Sequence, residues 1–152
     1  MATVDSSKTR SGAPRGAASQ MRCQVITPEK TLMDAEVTFV AVPLIDGEMG
    51  ILPGRAPVVA RLGFGELRYD RAGAPRERLY VDGGFLQIRD NQISVLTNRA
   101  LSLTDLTADS ARAELERALA ISPTTPEQFA ERDRAVARAR AQLRLAEAKG
   151  SL

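Results

Sequence analysis

Residues 46–57 place Gly47, Gly50, Pro53, Gly54 and Pro57 within twelve positions, between two runs of strand-forming residues. Glycine supplies positive φ where a turn demands it and proline holds φ near −65°, so this spacing predicts one shaped loop with a specific backbone path. The loop is polar at Asp46 and Glu48 and apolar at Ile51 and Leu52. A chain that must present such a loop needs a rigid scaffold on either side, and both flanks read as β-structure.

From Arg22 to about Leu103 the pattern is short strands separated by turn signals. Residues 24–27 end at Pro28, and residues 35–43 alternate with period two and read as one strand. Further strands are expected over 56–62, 65–70, 78–81, 84–89, 92–97 and 100–103. Residues 70–73 (Asp-Arg-Ala-Gly) and 89–92 (Arg-Asp-Asn-Gln) have tight-turn composition. Many short strands at regular spacing argue for an antiparallel sandwich or barrel.

At Thr104 the composition changes to Ala, Arg and Glu. Ala108, Ala111, Leu115 and Ala118/Leu119 recur at helical spacing, predicting a helix over 108–120. Ser122 to Pro126 break it. Thr125 as N-cap, Pro126 at the first helical position and Gln128 at the third predict a second helix reaching about Lys149, with Gly150 as its stop. Its apolar seam is read as Phe129, Val136, Ala139, Leu143 and Ala146. Two helices and a short connection make an antiparallel hairpin. The expected fold class is therefore β plus α, a flattened antiparallel β-sandwich over 21–103 followed by a two-helix hairpin over 104–152. Residues 1–20 lack apolar periodicity and read as a disordered tail.

Composition removes several functions. The whole +2 excess comes from Lys8, Arg10 and Arg15 against Asp5, so the body of the chain is neutral. With 4% aromatic content and no Trp, it offers neither a phosphate-neutralising face nor a stacking platform for nucleic acid. His is absent and Cys23 stands alone, so soft-metal sites, His-dependent triads and an internal disulfide are all excluded. Cys23 sits in an alternating apolar run and reads as a small buried hydrophobe. Asp46 and Glu48 share a strand face as two catalytic acids would, but no nucleophile or phosphate-cradling Lys-Ser/Thr ending accompanies them. No apolar run approaches the ~20 residues that span a bilayer.

The loop at 46–57, followed by Tyr80-Val81-Asp82-Gly83-Gly84-Phe85-Leu86-Gln87-Ile88 and Ile93-Ser94-Val95-Leu96, resembles the epsilon subunit family of bacterial F-type ATP synthases. The resemblance runs from about Met21 to the end. It implies a β-sandwich of about ten strands and a hairpin that alternates between folded-down and extended states. It also implies a non-catalytic, rotating central-stalk subunit that links gamma to the c-ring and restrains ATP hydrolysis, at the cytoplasmic face of the bacterial inner membrane. The coupling ion is chosen by other subunits. By the same resemblance, Asp46 and Glu48 would face basic ring-loop side chains and Arg55 would sit near gamma. Gly83 and Gly84 would join Gly47, Gly50, Pro53, Gly54 and Pro57 as the structural frame.

Some family members bind ATP through an Ile/Leu-Asp-x-x-Arg-Ala element, which Asp109, Arg112 and Ala113 match while Ala108 departs from it. Arg138 falls at a phosphate-contacting position, and Gln142 replaces a second arginine. ATP would then be a weak regulatory ligand, with no cofactor required. Asp109 and Arg112 would equally form an ordinary i,i+3 helix pair worth ~0.2–0.5 kcal/mol. Arg132, Arg134, Arg138, Arg140 and Arg144 make a basic set, balanced by Glu127, Glu131, Asp133 and Glu147. In the family such arginines meet an acidic segment of the catalytic alpha/beta head when the enzyme is inhibited, which marks Arg138, Arg140 and Arg144. A rival from another class is a free-standing nucleotide-sensing binding module, distinguished by tight ATP binding without gamma.

Overall fold

The computed structural model describes residues 20–150; the expected tail at 1–20 lies outside it except for Gln20, as do residues 151–152. Eight strands come first: β1 (Met21–Ile26), β2 (Thr31–Val37), β3 (Phe39–Leu44), β4 (Gly47–Ile51), β5 (Val58–Asp70), β6 (Glu77–Arg89), β7 (Gln92–Leu96) and β8 (Ala100–Ser102). A 3-10 turn at Leu103–Asp105 leads to α1 (Ala108–Leu119) and α2 (Pro126–Gly150). All strands form one hydrogen-bonded sheet in the order β2-β1-β7-β6-β5-β3-β4, with β8 on β6.

That sheet folds over on itself through β5 and β6. Their first and last halves pair with different neighbours. Residues 85–89 of β6 lie against β7, whereas residues 79–81 lie against β8. The register between the two strands runs on both sides of a bend at which Leu62 faces Gly84 and Phe64 faces Asp82. One layer is thus β2-β1-β7 with the 58–62 and 84–89 halves. The other is β8, the 77–82 and 64–70 halves, β3 and β4. Between them Met21, Val25, Val37, Val42, Ile51, Leu67, Leu86, Ile88, Ile93 and Val95 fill the core.

The bend explains a difference from the sequence reading, in which 56–62 and 65–70, and likewise 78–81 and 84–89, stand as separate strands. Each pair is one strand. The inward-facing residues change parity across the glycines, from Leu62 to Leu67 and Tyr69 in β5 and from Val81 to Leu86 and Ile88 in β6, so the alternation that marks a strand is interrupted. Gly83 and Gly84 have φ of +65° and +109°. A Cβ on Gly84 would stand 1.8 Å from the Leu96 carbonyl oxygen. Only glycine passes there.

Three further readings change. Residues 35–43 are two strands, because the Thr38 N–H and hydroxyl both donate to the Asp70 carbonyl and pull that residue out of the ladder. Half of the 46–57 loop is strand β4, which pairs with β3 across a turn at Ile45–Asp46. The sandwich is not wholly antiparallel, since β1 and β7 run parallel. The 89–92 turn is tight as expected, with Asp90 and Asn91 both at positive φ (51° and 59°), the signature of a type I′ hairpin.

The helices form as their caps direct. Thr107 accepts from the Ser110 N–H to start α1, and Thr125 accepts from the Gln128 N–H to start α2. The Gln128 side chain reaches back to Thr124 rather than to Thr125. Arg112 on α1 pairs with Glu147 near the end of α2, so the two helices are antiparallel. Ala111, Ala118, Ala139 and Ala146 are buried, whereas Phe129, expected in the seam, is 51% exposed. It lies in the first turn of α2, where the helix is exposed along most of its length. α2 also covers the outer face of the second layer, where Ala141 and Ala146 join Tyr80, Leu103 and Leu106 in a second, smaller core.

Candidate functional site

Two surfaces meet at the bend. On the outer face of the first layer, the cross-strand row Arg61, Phe85, Leu96 and Ile26 follows from the register. Phe85 is 54% exposed and Leu96 46%. Ile45 and Val59 add exposed apolar surface on β5 and the neighbouring turn. Together with Gly63, Phe64 and Gly83, the row opens into a groove of about 1170 Å³ whose far wall is the hairpin, through Ile121, Arg134 and Arg138. A β-sandwich that leaves large side chains outward in adjacent strands presents a surface fitted to another protein.

On the outer face of the second layer the hairpin is held down by polar contacts. Arg138 Nε donates to Asp82 Oδ1 at 2.8 Å. Its guanidinium also lies over the Phe64 ring, 5.5 Å from the centroid. Asp82 is buried, with its N–H donating to Thr97 Oγ1 and the Arg99 carbonyl, and its carbonyl accepting from Asn98 Nδ2. Lys149 Nζ donates to the carbonyls of Leu103 and Leu106 at 2.8 and 2.7 Å, capping the 3-10 turn. Gln142 is buried beside Tyr80, yet neither its Nε2 nor the Tyr80 hydroxyl completes a hydrogen bond of ordinary geometry. Burial first, and the neighbouring Asp82 carboxylate second, push the Tyr80 phenol well above its usual range.

The residues singled out from sequence fall into three places. Asp46, Glu48, Gly50 and Arg55 line one shallow groove beside β4. Glu48 is not a free charge: it takes a bidentate pair from Arg68 at 2.8 and 2.6 Å, and that contact holds its carboxyl below the ordinary range. Gly47 and Gly54 adopt φ of +145° and +84°. The Gly54 N–H donates to Asn91 Oδ1 at 2.8 Å, which ties the turn containing Pro53 to the β6–β7 hairpin. Gly50 lies in β4 against the Phe39 ring, and Pro57 immediately precedes β5.

The residues marked for a nucleotide make contacts within the chain. Arg112 is held by Asp109 at 3.3 Å and Glu147 at 3.5 Å. Glu147 is nine residues from Arg138 along α2, about 14 Å at 1.5 Å per residue. Arg138 is engaged by Asp82, and Gln142 faces the sandwich. In this arrangement each of the two arginines is engaged by carboxylates of the chain itself. Arg140 and Arg144 are exposed, and among the described residues neither has an ion-pair partner. Sequence reasoning passed over Asp82, Lys149 and the Phe85–Leu96 row. Asp82 did leave a signal, as an acid between apolar Val81 and a glycine pair, in a buried stretch that runs from Tyr80 to Gly83.

No helix of the described residues is long and apolar enough to cross a membrane. Residues 20–103 match the model of the ATP synthase, Delta/Epsilon chain, beta-sandwich domain. The ATP synthase epsilon chain of Rhodopirellula baltica is 49% identical over 124 residues, covering 82% of this chain and 96% of that one. That of Solibacter usitatus is 36% identical over 131 residues, covering 85% and 97%. Among solved structures, a chain of the Euglena gracilis mitochondrial ATP synthase superposes with a TM-score of 0.71 at 20% identity, covering 93% of this chain and 88% of that one. A chain of the Tetrahymena thermophila mitochondrial ATP synthase central stalk and c-ring gives 0.67 at 14%, covering 83% and 96%; both show a shared fold. With its β-sandwich matching that family model and 49% identity to an epsilon chain over nearly the whole of it, the chain belongs to the family of ATP synthase epsilon chains.

Proposed function

We propose that the chain is the central-stalk subunit that joins gamma to the c-ring of a bacterial F-type ATP synthase, on the cytoplasmic face of the membrane, and that its hairpin restrains ATP hydrolysis. As an epsilon chain it is a non-catalytic part of the rotary complex. The observation that carries the reading is the asymmetry of the sandwich. One outer face is covered by the chain's own hairpin, while the other keeps Phe85 and Leu96 exposed beside Arg61. That exposed row fits gamma. The groove with Asp46, Glu48 and Arg55 lies at the rim, where polar ring loops would meet charged side chains.

The test is reconstitution with alpha, beta and gamma. Phe85→Glu places a charge at the centre of the row without disturbing the core, because the side chain points outward. Removal of an interface anchor costs about 2 kcal/mol or more, so affinity for gamma should fall at least about thirtyfold. Unchanged binding by the folded variant would remove this face from the assembly.

A further inference from the structure

What α2 buries fully against the sandwich is small, Ala141 and Ala146 against Tyr80, Leu103 and Leu106, with Leu145 only partly buried beside them. Methyl groups offer little to hold a helix of 25 residues in place. The apolar contact is also incomplete, since Tyr80 Oη and Gln142 Nε2 are buried without hydrogen bonds. Each such group raises the cost of the docked state. What offsets this on α2 is polar and concentrated at two points, Lys149 on the 3-10 turn and Arg138 on Asp82; α1 adds only a longer, partly exposed pair, Glu114 with Arg99 at 3.8 Å.

The two points differ in kind. Lys149 binds carbonyls that water would serve nearly as well once the helix left. Asp82 is a carboxylate with 7% side-chain exposure, and Arg138 is the cation bonded to it. Its backbone is fixed by Thr97, Asn98 and Arg99, and the next two residues are the glycines of the bend. The acid is therefore held in place whether or not the hairpin is present. A charge-assisted bond to a pre-positioned partner loses little entropy on forming. The Phe64 ring under the guanidinium orients the same side chain and shields it from solvent on one face.

We propose that the Asp82–Arg138 pair is a latch that sets the balance between docked and released hairpin in this chain, with no ligand needed to hold the docked state. It rests on the reading above only in supposing that release has a consequence in the enzyme. The latch stands at the bend, whose opposite side carries Phe85 and Leu96. A partner seated on that row would contact the strand segment that positions Asp82.

The experiment uses the full chain with spin labels at Glu36→Cys and Ala137→Cys, both exposed positions; Cys23 is buried and stays in place. The unmodified latch should give one docked distance. Asp82→Asn and Arg138→Gln should each raise the released fraction roughly ten- to a hundredfold, the range for a hydrogen bond to a charged group. The double variant should release no more than either single one, because both remove the same contact. Lys149→Met should add independently to either. Arg138→Gln alters only α2, so it reads the latch even where Asp82→Asn disturbs β6. A wild-type distance in Arg138→Gln, or full additivity of the two latch variants, overturns the proposal. Release without any change in hydrolysis by the assembled enzyme leaves the latch standing and removes the regulatory role instead.

Discussion

The sandwich and the hairpin bury different kinds of residue. Between its layers the sandwich hides Leu67, Ile51, Leu86, Ile88 and Val95 almost completely, while the helices hide Ala111, Ala118, Ala139, Ala141 and Ala146. A buried Leu or Ile contributes about 1.5–3 kcal/mol and a single methyl about 0.8 kcal/mol. The first region is consequently fixed by shape and the second by a few polar contacts placed on it. The same chain thus divides into a body and an arm, the sandwich and the hairpin, with Tyr80 buried where they meet.

The largest expected effect lies in the body. Gly84→Val should prevent folding, because its Cβ would meet backbone at 1.8 Å on a strand that both layers share. Gly83→Val meets only ordinary contacts, the Phe64 ring at 3.5 Å and the Leu62 carbonyl oxygen at 4.0 Å, and should cost about 1–3 kcal/mol for its left-handed backbone. Thermal unfolding of the two variants separates clash from strain. Equal losses would show that the bend tolerates a side chain at either position.

Next comes removal of the arm. A chain ending at Asp105 should still fold and bind gamma, with lower stability because Tyr80 loses its cover. The two tyrosines, both on the sandwich, report this separately, since Tyr69 belongs to the core between the layers and Tyr80 to the smaller core under the hairpin. Tyr69 is pushed up to about 12 by burial and its bond to Glu77, and Tyr80 is also raised by burial. A raised folded value means that this stability is complete below the ordinary 10 and is lost as pH climbs through the folded value. Alkaline titration should show Tyr80 alone returning toward its ordinary range in the shortened chain. If both tyrosines move, the body depends on the arm.

Smaller effects belong to the surface. Glu48→Lys breaks the pair with Arg68, but Glu48 is half exposed, so the isolated chain should lose no more than about 1 kcal/mol. In the assembled enzyme, ion pumping per ATP hydrolysed should fall, and unaltered pumping would clear this groove of a docking role. The smallest structural change is Arg140→Ala with Arg144→Ala, which touches exposed arginines and keeps helix propensity. Hydrolysis by the assembled enzyme should rise while the melting curve of the isolated chain stays put. Equal hydrolysis across ionic strengths would confine the arm to a static cover. Arg138 stays out of that pair because its loss would also release the latch.

What was legible in the sequence was local. Asp90-Asn91 announced a tight turn, Thr125-Pro126 a helix start, and alternation along Ile93 to Val95 a half-buried strand, since each depends on φ/ψ preferences and side-chain period within a few residues. The course of β5 and β6 through both layers was not legible, because glycines at a bend look the same as glycines between strands. Nor was the parallel pairing of β1 with β7, which requires knowing which distant strand lies alongside. Asp82 and Arg138 are 56 residues apart, and nothing near either specifies the other. The sequence determined the elements, the turns and the contrast between a branched core and an alanine seam. Tertiary structure alone decided which charges meet and which apolar side chains stay outside, because those depend on close approach between segments whose local preferences are mutually indifferent.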